Sequence, residues 1–274
     1  MKTGALYIIF FFSLFSKNYG QDSSAFKNAC DSYIGGKFED AIFWFSKSIE
    51  QKYRQSDSYR YMGISNAFLK KFNDARNNLF YSLLLDSTNE RTYNQIGKFY
   101  FLKEQYDSAI IWYTKAIDSN PNDVYFYDDR ALAYTGANQL DKALKDANIA
   151  VSLDPNNEVF LNNRGLIKQK QLKYNEALKD FSRVLQIDSS MANNLSTYIN
   201  IAFCHLRLKE YQKSFQECND ILFRFPNTPY ALMVRGLVYQ TQQKRKESCA
   251  DFNLLYSLDT AMGKEYIEKY CNSN

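Results

Sequence analysis

One short string recurs along this chain every 34 residues, and no other feature limits its fold as tightly. Aligned on a small residue three positions after an aromatic, the chain has anchors at Ala41, Ala75, Ala109, Ala143 and Ala177, each 34 residues beyond the last. Ser214 follows after 37 residues and Ser248 after 34 more. The positions three before the anchors hold Phe38, Phe72, Tyr106, Leu140, Tyr174, Tyr211 and Arg245. Twelve residues before each anchor lies a second small residue: Ala29, Gly63, Gly97, Ala131, Gly165, Ala202 or Gly236. Four residues after each anchor come Phe45, Leu79, Tyr113, Ala147, Phe181, Cys218 and Phe252, and Pro121, Pro155 and Pro226 close three of the units. Registers that stay in phase over seven units mark a repeat architecture.

The spacing predicts a helical hairpin per unit. Small residues let two antiparallel helices approach, and a large residue one turn later fills the space beside the contact. Proline stops the second helix because its ring cannot continue the hydrogen-bond ladder. A hairpin of this size cannot bury its apolar stripe alone, so neighbours must stack and bury it together. Composition agrees: 45% of residues are hydrophobic, 22 are Tyr and 21 Phe, while only ten Gly and four Pro leave little turn punctuation for an all-β fold.

These residues resemble the tetratricopeptide repeat pattern. The third unit matches at Tyr93, Ile96, Gly97, Tyr100, Ala109, Tyr113, Ala116 and Pro121, and the fourth at Tyr127, Ala131, Tyr134, Ala143, Ala150 and Pro155. The resemblance implies an all-α, right-handed α-solenoid of about seven hairpins over residues 21–274. The expected repeats are 22–55, 56–89, 90–123, 124–157, 158–191, 195–228 and 229–260, with a capping helix over 261–271. Two units and the join between the fifth and sixth depart from the pattern. The first has Ser32 where a tyrosine is usual. Three extra residues within Ser189 to Thr197 are expected either to lengthen a helix or to bend the array. Arg245 in the turn-aromatic position is expected to make the seventh hairpin pack less conventionally.

The amino terminus reads as an export signal over residues 1–20. Lys2 provides the positive start, and Ala5 to Phe15 is an uncharged apolar run of eleven residues, too short to cross a bilayer as an ordinary helix. Cleavage is expected after Gly20, with an uncleaved anchor as the alternative. No membrane span is then left, and the expected compartment is periplasmic or secreted. Removing Lys2 and Lys17 takes the basic residues from 34 to 32, against 30 acidic ones, so no electrostatic case for nucleic acid exists.

Enzymatic chemistry has no organised motif here. The single histidine, His205, falls where other units carry Tyr100, Tyr134 or Tyr239 and reads as a packing residue. With one histidine there is no histidine pair for a metal, and phosphate-cradling loops and nucleophile elbows are missing from the sequence. No catalytic, cofactor or metal residue is therefore assigned. The five cysteines form no C-x-x-C pair. The ending ESCADF…YIEKYC resembles that of exported bacterial tetratricopeptide proteins, and this resemblance implies a Cys249–Cys271 disulfide. Buried thiols acting as small hydrophobes are the alternative, and Cys204 with Cys218 is a second candidate pair. Asn194-Leu195-Ser196 is formally a glycosylation triplet.

Members of the family bind an extended peptide or a helix in the groove lined by their first helices. Carried over, that groove is expected to display Phe26, Tyr33, Arg60, Phe68, Arg91, Asn94, Lys98, Phe101, Tyr125, Asp128, Asn162, Phe203 and Tyr230, with about half of them packing between repeats instead. Chaperone-tail-binding members use a lysine–asparagine–arginine clamp for two carboxylates, and consecutive units here do not reproduce it. The expected role is a protein or peptide adaptor. Its alternative is a structural component acting through self-association or the convex surface.

Overall fold

The computed structural model describes residues 24–272, which form fifteen α-helices and no strand. The expected signal over residues 1–20 lies outside the described residues. The chain divides into two compact units between Ala137 and Asn138, and each is built from the same hairpin.

The first unit holds α1 (Ser24–Ile34), α2 (Phe38–Glu50), α3 (Gln55–Phe68), α4 (Phe72–Leu85), α5 (Glu90–Leu102), α6 (Tyr106–Ser119) and α7 (Val124–Gly136). Helices α1 and α2, α3 and α4, and α5 and α6 pair as hairpins, with α7 packed on α6. The small registers lie at the pairing seams: Ala29, Ala41, Ala75 and Ala109 are fully buried. Around them close the aromatic clusters Phe26–Phe45–Tyr61 and Leu79–Ile96–Phe99. First helices also pack on the first helices of the next repeat, α3 on α5 and α5 on α7.

The second unit holds α8 (Leu140–Leu153), α9 (Glu158–Lys170), α10 (Tyr174–Ile187), α11 (Leu195–Arg207), α12 (Tyr211–Arg224), α13 (Pro229–Thr241), α14 (Arg245–Leu258) and α15 (Thr260–Tyr270). Here the hairpins are α9 with α10, α11 with α12 and α13 with α14. Serine replaces the anchor alanine in the last two, and both hydroxyls stay satisfied while buried. Ser214 Oγ donates to Ala202 O at 2.8 Å and Ser248 Oγ to Gly236 O at 2.9 Å.

The turn before each second helix passes through a left-handed residue two positions ahead of it: Gly36, Lys70, Glu104, Asn138, Leu172, Lys209 and Gln243. In the second hairpin Lys70 N–H donates to Ala67 O and Lys71 N–H to Asn66 O, the paired bonds that close a Schellman turn. Three of the turns between repeats use side-chain caps instead. Asn89, Asp123 and Asn157 accept from the first backbone N–H groups of α5, α7 and α9.

The three extra residues neither lengthen α10 nor α11, which keep ordinary lengths. They form an ordered loop, because its polar groups find local partners and its one large apolar residue finds the core. Asp188 accepts from Ser190 N–H, and Tyr198 Oη donates to Ser189 O. Met191 reaches into the cluster of Ile221, Leu232, Phe252 and Leu255. Asn194 is buried in this loop with its amide donating to Asp188 O, so the formal glycosylation triplet offers no exposed acceptor.

The array ends on α15. Phe252 stacks with Tyr266 and Tyr270 at centroid distances of 5.2 and 5.7 Å. Cys249 and Cys271 are joined by a disulfide. Arg245 does not disturb the seventh hairpin: α13 and α14 pair as the others do, and the guanidinium donates to Cys271 O at 2.9 Å. Cys204 and Cys218 remain buried thiols rather than a pair, and burial pushes them up to about 11 and about 12.

Candidate functional site

First helices carry the residues that a partner would meet, and their environments differ sharply. In the first unit, Phe26 is only 1% exposed and packs edge-on against Phe45, so its ring is core and not groove surface. Arg60, Asn94 and Asp128 are also buried, a correction to their expected display, since first-helix positions this close to a neighbouring helix face protein on both sides. Tyr33 is half-buried, edge-on to Tyr61 at 5.2 Å, and burial followed by the nearby Tyr61 holds its phenol well above the usual range.

Arg60 is the most enclosed cation. It pairs with Asp57 at 2.5 Å and its guanidinium lies 4.4 Å from the Tyr61 ring centroid. Burial alone would push Asp57 up, but Arg60 and Arg54 together outweigh it and hold the carboxyl below the usual range. Phe68 stacks flat on Phe38 at 4.6 Å and keeps its outer face exposed.

Helices α5 and α7 bring a polar group together. Asn94 Nδ2 donates to Asp129 Oδ2 at 2.8 Å, and Lys98 Nζ lies 3.1 Å from the same oxygen. Asp123 caps α7. Burial raises its carboxyl, with the Tyr125 N–H, Arg91 and Lys98 opposing and Asp129 adding to the rise. Beside this cluster the Tyr125 side chain is 39% exposed, while Phe101 leans edge-on against Tyr106 at 5.6 Å.

In the second unit Asn162 accepts from Thr197 Oγ1 at 3.3 Å, so it bridges α9 to α11. Phe203 is half-buried near the Arg207 guanidinium, and Tyr230 at the start of α13 is 55% exposed.

One set of polar residues was missed by the sequence reading. In the fifth repeat Arg164 grips both oxygens of Asp180, at 3.0 and 2.6 Å, while also reaching Asn148 of the preceding second helix; Lys168 adds a third contact to Asp180 at 2.7 Å. The seventh repeat repeats the clamp with Arg235, Asp251 and Asn219. A fork-shaped guanidinium on a carboxylate is a strong, directional contact. The signal was available as an arginine and an aspartate 16 residues apart in phase with the period. Among the described residues no group of three His, Cys, Asp or Glu side chains forms a metal site, and no helix is long and apolar enough to cross a membrane.

Comparison with known proteins agrees with this architecture. Residues 90–123 match the tetratricopeptide repeat family model. Hsp70-Hsp90 organizing protein 3 of Arabidopsis thaliana is 34% identical over 113 residues, which cover 40% of this chain and 18% of that protein. Among solved structures, the APC/C hetero-tetramer Cut9-Hcn1 superimposes with a TM-score of 0.73 at 14% identity, over 89% of this chain and 48% of that one. A tetratricopeptide repeat protein from Parabacteroides merdae gives 0.70 at 14% identity, covering 90% of this chain and 98% of the other. YrrB, described as a TPR protein with an unusual peptide-binding site, gives 0.53 at 12% identity over 69% and 97%. The chain thus spans under a fifth of the curated relative and about half of the first structural neighbour. The structural likenesses speak to fold alone.

Proposed function

We propose that this chain of tetratricopeptide repeats is an extracytoplasmic scaffold that binds a peptide or protein segment along its first helices. The observation that carries the reading is the α5–α7 face. There the exposed aromatic Tyr125 donates its N–H to the capping Asp123, Lys98 pairs with Asp129 at 3.1 Å, and the charge of Arg91 acts on Asp123. Preorganised polar groups beside an accessible ring suit a binding surface, because little side-chain freedom remains to be lost on association. The aromatic edge gives area and the charges give register. Export rests on the apolar run at Ala5 to Phe15 and on the disulfide, which persists in an oxidising compartment.

The test is crosslinking in the native host with tagged residues 21–274, followed by mass spectrometry, in parallel with a Tyr125→Ala, Phe101→Ala variant. A reproducible partner lost in the variant supports the reading; partners retained unchanged remove it. Amino-terminal sequencing of the fractionated protein tests export separately: a start at Gln21 outside the cytoplasm supports it.

A second reading is favoured by the outer faces of the second helices. Phe43, Leu84 and Ile111 in the first unit and Phe223 in the second are exposed apolar side chains. Self-association through such faces would give a structural component, read by sedimentation across a concentration series.

A further inference from the structure

The sixth repeat breaks the charge clamp that its neighbours share. The position of Arg164 and Arg235 is taken by Ile201, that of Lys168 by His205, and that of Asp180 and Asp251 by Glu217. Permanent cations are thus replaced by an apolar side chain and an imidazole. Glu217 Oε1 lies 3.5 Å from His205 Nε2, while its buried Oε2 has no hydrogen-bond partner. The other imidazole nitrogen, Nδ1, is 2.5 Å from Glu210 Oε2. We propose that the sixth repeat is a proton-operated joint, in which a proton held between His205 and Glu217 does what arginine does in the fifth and seventh repeats.

Among the described residues no arginine or lysine pairs with Glu217, and Lys213 acts on it only from a distance. Helix α11 contributes His205 and the buried Cys204, and the turn before α12 contributes Glu210. Helix α12 itself carries Lys213, Cys218 and Asp220; Lys213 is turned to Glu210 at 3.1 Å. Helix α10 packs Tyr174, Leu178 and Leu185 around Ile201 and Cys204, and Gln169 of α9 donates to the Cys204 thiol. On α13 the Arg235 guanidinium is committed to Asp251 and Asn219. Burial, reinforced by Asp220 and Glu210 and opposed by Lys213, raises the Glu217 carboxyl from 4.5 to about 7. A raised carboxyl means the folded repeat keeps a proton that the unfolded chain gives up. Stability of this joint is therefore full below pH 4.5, falls as pH rises toward 7, and stays low above it.

The test is hydrogen exchange on the whole protein at pH 6 and pH 8, corrected for the intrinsic rate. Between these values the opening constant of α11 and α12 should grow about tenfold, while amides of α13 and α14, held by Arg235 and Asp251, change much less. Glu217→Gln should abolish the difference, and Ile201→Arg with Glu217→Asp should restore the neighbours' pH-independent clamp. Equal pH responses in all repeats, or full retention in Glu217→Gln, would overturn the proposal. Should the double variant fail to fold, NMR titration of the wild-type Glu217 carboxyl decides alone: a midpoint near 4.5 overturns it, and one near 7 supports it.

Discussion

The ring of Phe252 lies so close to Gly236 that a Cβ on the glycine would stand 2.4 Å from the ring's Cε1. The ring has nowhere to retreat, because Tyr266 and Tyr270 of the cap stack on it. Gly236→Ala is expected to cost about 1–3 kcal/mol through overpacking, read from the denaturation midpoint. A Phe252→Leu background should absorb much of that penalty in a double-mutant cycle. Identical costs in both backgrounds would show that the ring is not the obstacle.

The cap is held by a covalent link as well as by the aromatic stack. Cys249 and Cys271 are 22 residues apart in sequence, and loop closure of that length contributes about 3 kcal/mol. Cys271→Ser should therefore lower the stability of the second unit, with exchange rising first in α14 and α15. Added reductant should reproduce the effect in the wild type and leave the variant unmoved.

Leu172 sits in the left-handed turn between α9 and α10 at φ 63°, with its side chain largely exposed. A side chain there costs about 1–2 kcal/mol of backbone strain, which glycine avoids at some cost in unfolded-chain entropy. Leu172→Gly should raise stability by roughly 0.5–1 kcal/mol. A lower melting temperature would contradict this.

Removing the partner of Arg60 should be far more damaging than removing a surface charge. Asp57→Asn leaves a buried guanidinium without its carboxylate, a change that costs about 3–5 kcal/mol in comparable pairs. The sign in pH follows from the depressed Asp57 carboxyl. Its contribution is present above the ordinary value of 3.8 and is lost as pH falls below it, through the lower folded value. Acid titration of the wild type against the variant, followed by circular dichroism, checks both.

The hairpins, their seams and the cap were legible because close packing repeats. Ala41, Gly236 and Phe252 recur at spacings that only a small-against-large helix contact requires. The candidate site was legible only in part. Phe68, Tyr125 and Tyr230 do stand exposed on first helices, but Phe26, Arg60, Asn94 and Asp128, each 15 residues before its anchor, are buried. Register says which face a residue is on and leaves open how far the next helix covers it.

The sequence by itself determined the all-α hairpin array, because a period of 34 with small residues at two phases admits no other way to bury its apolar stripes. Tertiary structure decided how far individual polar groups are buried and satisfied. Whether Asp180 meets a guanidinium while Glu217 meets only an imidazole depends on side chains 12 to 16 residues away. The extra residues before α11 became a loop with Met191 in the core for the same reason: burial is settled by three-dimensional neighbours, which linear spacing does not specify.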